Sequence, residues 1–246
     1  MMDALGFKGI WRRSPGEPDR AEAVLAKMKR LRAVTQNVRI EKGTDGPVAM
    51  RCECISDTIV LGLWPNSPPA TPQVPFIFAS QFIRVLCQEA LREPPVLAYR
   101  GAVAYGRFEM EDGFVIGPAV DEAAESMELA DGAFIWFTPS ALARVEDGVS
   151  GGLFAHKYAV PFKGGATFET FVLVPWLPGS ADRGAEAARA LLETFDSRSL
   201  SVAIKRQNTK RFFDAAIADA RAKEAEFARI MALLPPELRQ RVAPLT

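Results

Sequence analysis

The order in which two hydrophobic rhythms alternate constrains this chain more than any other feature. Up to about residue 138, helix-spaced and strand-spaced apolar residues follow one another as strand, helix, strand, strand, helix, strand, strand, helix, strand. Residues 1–7 read as a strand. Residues 20–36 place Ala23, Val24, Met28, Leu31 and Val34 on one helical stripe with lysines and arginines opposite. A turn at 43–47 leads into strands over 49–56 and 58–64, the first alternating Met50, Cys52 and Cys54 with Arg51 and Glu53. A proline-rich loop covers 64–75, and a helix over 76–93 stops at Pro94 and Pro95. Strands over 97–106 and 108–117, a helix over 119–130 and a strand over 133–138 complete the series. A further hairpin, 153–162 with 166–176, turns at Lys163-Gly164-Gly165. From Asp182 onward Gly and Pro almost vanish, and helices over about 182–195 and 199–232 run close to the end. The class is α+β, on a β-α-β-β-α-β plan with additions.

Composition narrows the function. The 246 residues carry 30 basic and 30 acidic side chains, so broad binding to nucleic acid or an anionic membrane is not expected. Cys52, Cys54 and Cys87 make an odd count, two of them in one strand, which reads as reduced core thiols of a cytosolic protein. A single histidine, His156, and the lack of a second cysteine pair argue against zinc. No apolar run reaches the ~20 residues of a membrane span. Asp3 and Lys8 fall where the apolar stretch of a signal peptide would lie. The expected location is the cytoplasm.

Two aspartates carry the chemistry: Asp3 in MMDALGFKGIW and Asp57 in CISDTIVLGL. A carboxylate set in an apolar stretch is costly to desolvate unless something neutralises it. Where two converge, Mg²⁺ or Mn²⁺ shared with substrate phosphates is the common solution. Gly6, Phe7 and Lys8 follow Asp3 at a strand-to-helix turn whose backbone N–H groups suit a triphosphate. The plainer alternative makes Asp3 a turn carboxylate and Asp57 a strand-end acceptor. Arg51 and Glu53 are either a base-reading pair or an ion pair on a solvated face. Lys163 is either a turn residue or a phosphate contact, and Arg100 either braces the fold or touches substrate.

Four segments, in order, resemble the motifs of a known family. MMDALGFKG resembles the first metal-aspartate motif of class III nucleotidyl cyclase domains, and CISDTIV the second, with Ser-Asp for Gly-Asp. YRGAVAYG resembles the family's Arg-x-Gly strand, and IGPAVDEAAES the stretch that usually reads Gly-x-x-Val-Asn-x-Ala-x-Arg; FKGGATFETFVL is a weaker fifth match. The closest likeness is to the bacterial pyrimidine nucleotide cyclases of cyclic-nucleotide antiphage defence. The resemblance implies a ferredoxin-like cyclase domain over 1–178 with added strands, and a C-terminal helical extension over 179–246. It implies two divalent cations, Mn²⁺ or Mg²⁺, held by Asp3, Asp57 and the Ala4 carbonyl. Gly6, Phe7 and Lys8 would lie against the triphosphate, and Arg51 and Glu53 on the base. The implied reaction converts UTP, ahead of CTP, to a 3′,5′-cyclic monophosphate, in a homodimer with composite sites. The product would serve a separate effector protein in antiviral defence. The family's ribose-orienting Asn falls at Asp121 and its transition-state Arg at Glu125. Arg100, Arg107 or Lys163 must then supply the missing cation, or the chain is a degenerate nucleotide-binding module. An adenylate or guanylate cyclase is a third reading, disfavoured by the same two positions.

Overall fold

The computed structural model describes residues 1–5, 18–36, 40, 46–66, 73–111, 113–145, 155–176, 180–195 and 199–233. Their elements are β1 (Met2–Ala4), α1 (Pro18–Gln36), β2 (Val48–Ile55), β3 (Thr58–Pro65), α2 (Val74–Arg92), β4 (Tyr99–Val103), β5 (Glu109–Glu111), β6 (Phe114–Ile116), α3 (Pro118–Leu129), β7 (Ile135–Phe137), α4 (Pro139–Val145), β8 (Ala155–Pro161), β9 (Thr167–Leu173), α5 (Ala181–Glu193) and α6 (Leu200–Leu233). Seven strands form one sheet in the order β2-β3-β1-β4-β7-β9-β8, and β5 and β6 form a separate hairpin. Neighbouring strands are antiparallel except β4 and β7, which are parallel. This is an α+β architecture, with the first strand in chain order lodged between β3 and β4.

Strand alternation sends each face of the sheet to a different partner. Met2, Ala4, Ile59 and Tyr99 point toward α1 and α2, where Val24, Leu31, Phe76, Ile83 and Leu86 close a buried core. Lys27 of α1 is also buried, its Nζ donating to the Glu93 carbonyl at 3.1 Å, where α2 ends. By length and composition α2 is apolar enough to cross a membrane, yet it carries Arg84, Gln88 and Glu89, and its apolar stripe packs on the sheet. A smaller cluster joins Ala102 of β4 to Ala123 and Met127 of α3. Gly101 has a steric reason. A Cβ there would lie 2.4 Å from the Met1 carbonyl oxygen and 3.0 Å from Met2 Cα, so β1 can approach β4 this closely only because residue 101 has no side chain.

The C-terminal helices share a second core with the sheet. Phe134, Trp136, Val160, Val172 and Trp176 pack with Leu191 of α5 and with Phe212, Phe213 and Ala216 of α6. Hydrogen bonds add to this contact: the Ala133 N–H donates to Thr209 Oγ1 at 2.9 Å, and Asn208 Nδ2 to the Asp131 carbonyl at 2.9 Å. Glu224 Oε1 accepts from the Ala181 N–H at 2.8 Å, capping the start of α5. The boundary expected at residue 178 lies outside the described residues.

Two local expectations change. The strand expected over 108–117 is instead the short hairpin β5–β6, with Gly113 at φ +83° in its turn. Residues 139–145, with no element expected, form α4, for which Pro139 at the first position is preorganised.

A candidate site around two aspartates

Register brings the acidic residues together. Asp3 stands opposite Thr58 on one side and Arg100 on the other. Directly paired residues project to the same face, so Asp3, Thr58 and Arg100 share one, away from α1 and α2. Ile55 pairs with Thr58, and counting back by twos along β2 puts Glu53 and Arg51 on that face too. Asp57 belongs to the two-residue turn between β2 and β3. Its neighbour Ser56 has φ +58°, a left-handed conformation that costs an L-residue about 1 kcal/mol and that glycine adopts freely.

The side chains form a connected line. The Asp57 carboxyl lies near enough to Asp3 to act on its charge. Thr58 Oγ1 donates to Asp3 Oδ1 at 3.3 Å, and Arg100 Nη2 reaches Asp3 Oδ2 at 3.4 Å. Arg100 also grips Glu128 of α3, with Nη1 donating to Oε2 at 3.2 Å and a second, shorter contact from Nη2 to Oε1. Lys163 Nζ joins the same carboxylate at 3.4 Å. The Arg100 side chain is 13% exposed and that of Asp3 19%, so this pair is sheltered, while Glu128 and Lys163 at the outer end face solvent. Three carboxylates here face two cations.

That imbalance leaves a signature on Asp3. Burial raises its carboxyl above the ordinary value, the adjacent Asp57 raises it further, and Arg100 only partly pulls it back. Glu128 behaves oppositely: burial would raise it, but Arg100 and Lys163 together bring it below the usual range. A divalent cation between Asp3 and Asp57 would relieve the repulsion, so the pair fits such an ion. Among the described residues no group of three or more His, Cys, Asp or Glu side chains converges. From the described residues, further ligands would be backbone oxygens, with water or phosphate oxygens beside them. Ala4 turns its methyl into the core, so it could contribute only through its backbone.

A titration follows from the sign of the Asp3 shift. Above the ordinary carboxylate range, the folded chain keeps a proton on Asp3 that the unfolded chain has released, so this group adds stability as pH falls through that window and loses it as pH rises. The thermal midpoint of metal-free wild type, relative to Asp3→Asn, is expected to rise from neutral to mildly acidic pH. Mn²⁺ should abolish that difference in slope. Identical slopes for the two proteins without metal would contradict the assignment.

The remaining candidates fall as follows. Arg51 Nε bonds Glu53 Oε1 at 3.0 Å, and Arg51 Nη1 donates to the Met110 carbonyl at 3.3 Å, so the two base-reading candidates are bonded to each other. Asp121 and Glu125 are exposed on α3. Gly6, Phe7 and Lys8 lie outside the described residues. Sequence reasoning overlooked Glu128 and Thr58. Glu128 is seven residues beyond Asp121 and three beyond Glu125, a helical spacing that puts all three near one face and was the available signal. No protein-family model matches the chain, and no curated protein or solved structure matches it.

Proposed function

We propose that the chain is a nucleotidyl cyclase of the class III kind, closing a pyrimidine nucleoside triphosphate, UTP ahead of CTP, into its 3′,5′-cyclic monophosphate with release of pyrophosphate. The meeting of the Asp3 and Asp57 carboxylates on one side of the sheet, with Arg100 beside them, carries the reading. Strand order supports it. The order β2-β3-β1-β4, all antiparallel, with α1 and α2 packed on one face, has the ferredoxin-like β-α-β-β-α-β form. Ser56 supports it too, since its left-handed backbone stands where the resembled motif carries glycine.

Divalent cations, when bound, would make the ribose 3′-hydroxyl a better nucleophile and offset the charge of the departing pyrophosphate. The chain's own work is placement. Asp3 and Asp57 fix where positive charge collects. Thr58 and Arg100 hold the Asp3 carboxylate in one orientation by donating to its two oxygens. Arg100 and Lys163 border the site where phosphate charge would develop, and intramolecular attack then needs chiefly alignment. Glu53 offers acceptors and Arg51 donors to a base edge, provided their mutual bond opens. A second copy, head to tail, would complete each site, and the cyclic product would act on a separate effector.

One observation favours a second reading, a nucleotide-binding module without turnover: Glu128 already engages both Lys163 and Arg100, the cation that reaches Asp3. Incubating the purified protein with Mn²⁺ and each of the four nucleoside triphosphates, then identifying products by mass, separates the readings. A cyclic pyrimidine nucleotide is the expected product. Cyclic AMP or cyclic GMP alone would redirect the assignment to a purine cyclase. Binding without any product would favour the module.

A further inference from the structure

On the opposite face of β2 from Arg51 and Glu53, Cys52 and Cys54 point toward α1 at the edge of the first core. Two residues apart on one strand, they present their thiols to the same side, near enough that each shifts the other's titration. Thr35 of α1 closes over them, its Oγ1 3.2 Å from Cys54 Sγ while it donates to the Arg32 carbonyl at 2.7 Å. Both cysteines are free and only partly buried. We propose that Cys52 and Cys54 form a two-coordinate binding site for a soft univalent metal ion, with cuprous copper the chemistry that it fits.

Ligand number and softness decide the class of ion. Zinc asks for four ligands, and among the described residues no third His, Cys, Asp or Glu joins the pair. Hard cations such as Mg²⁺ or Ca²⁺ want oxygen rather than sulfur. Cuprous copper takes thiolates and is satisfied by two. Binding releases both thiol protons to solvent and leaves a bis-thiolate complex of net charge −1. The two thiols are unequal partners. The neighbouring Cys52 draws the Cys54 thiol below its usual value and the Arg32 guanidinium favours a thiolate there as well, whereas Cys54 and burial push Cys52 up, so the metal must displace the Cys52 proton. The Thr35 hydroxyl lies 3.2 Å from Cys54 Sγ, and by turning its proton away from the Arg32 carbonyl it would donate to the resulting sulfur anion. Cys87 offers a contrast within the same chain: it has no thiol partner, and burial pushes it up to about 12. This site is separate from the paired aspartates and does not depend on the cyclase reading.

The test titrates the reduced full-length protein anaerobically with Cu⁺ held by the chromophoric chelator bicinchoninate. One Cu⁺ per chain should move from chelator to protein. Cys52→Ser and Cys54→Ser should each weaken capture by at least about tenfold, while Cys87→Ser keeps it. Iodoacetamide labelling of the wild type, mapped by mass, gives a readout that needs no variant: Cu⁺ should shield Cys52 and Cys54 but leave the labelling of Cys87 unchanged. Failure of the wild type to take Cu⁺ from the chelator, or labelling of Cys52 and Cys54 that Cu⁺ does not slow, would overturn the proposal.

Discussion

Asp57→Ala is expected to cut cyclic nucleotide formation by at least ~10³-fold, a loss of about 4 kcal/mol in transition-state stabilisation. Asp57 has no described cationic partner of its own and sits in a tight turn, where its carboxylate faces that of Asp3. It makes sense as half of a cation clamp, and with that half gone, Asp3 alone would hold a cation weakly and in the wrong place. The same change relieves the repulsion on Asp3, so the thermal midpoint should stay unchanged or rise slightly. Product analysis by mass, with a parallel thermal melt, checks both parts. An active Asp57→Ala protein would remove the metal assignment. An unfolded one would show that the turn depends on this side chain.

Phe212→Ala is expected to destabilise the fold by about 3–5 kcal/mol, the usual cost of emptying a large aromatic site in a core. Phe212 is 1% exposed, with its ring centroid 5.7 Å from Phe134, 5.2 Å from Tyr158 and 5.5 Å from Phe213. Tyr158 lies on β8 and Phe134 just ahead of β7, so a single side chain of α6 bridges the far end of the sheet. A loss of this size is a large share of the roughly 5–15 kcal/mol that holds an ordinary domain. Urea unfolding should show a lower midpoint in one cooperative transition. A change under about 1 kcal/mol would mean that α6 is an independent appendage rather than part of the core.

The parts of the fold that could be read in one dimension are those whose periodicity lasts. Met50, Cys52 and Cys54 alternate cleanly with Arg51 and Glu53, so β2 and its hairpin with β3 were visible in the sequence. The stripe from Ala23 to Val34 marked α1 in the same way. Short elements escaped. Glu109–Glu111 and Phe114–Ile116 are three residues each, too few to separate two strands from one interrupted strand. In α4 seven residues give two turns, and Pro139 reads as a breaker until its place at the first helical position is known. The reach of α6 into the sheet was also hidden, because its apolar residues are spread among Lys, Arg and Asp. Phe212 and Ala216 could be read on a broken apolar face with Leu200, Ile204, Phe227 and Ile230; the packing buries the first two with Phe213 and leaves the other four exposed.

The site divides along a similar line. Asp3 and Asp57 stood out because acids within apolar stretches must be neutralised by something. Their contact depends on β1 threading between β3 and β4, which the order of elements suggested but the residues themselves did not encode. Glu128 could not be singled out from Asp121, Glu122 and Glu125. What distinguishes it is that Ala123 and Met127 seat α3 on Ala102, turning that edge of the helix toward Arg100. Arg100 was readable as a candidate, while its division between Asp3 and Glu128 is a tertiary fact.

The central claim is that Asp3 and Asp57 share divalent cations over a nucleotide's phosphates. Anomalous diffraction at the manganese edge, from crystals grown with Mn²⁺ and a non-cyclisable UTP analogue lacking the 3′-hydroxyl, tests it most directly. Two manganese peaks about 3.5–4 Å apart are expected, each in bonding distance of a carboxylate oxygen from this pair and of the triphosphate. Bound nucleotide with no manganese between Asp3 and Asp57 would contradict it.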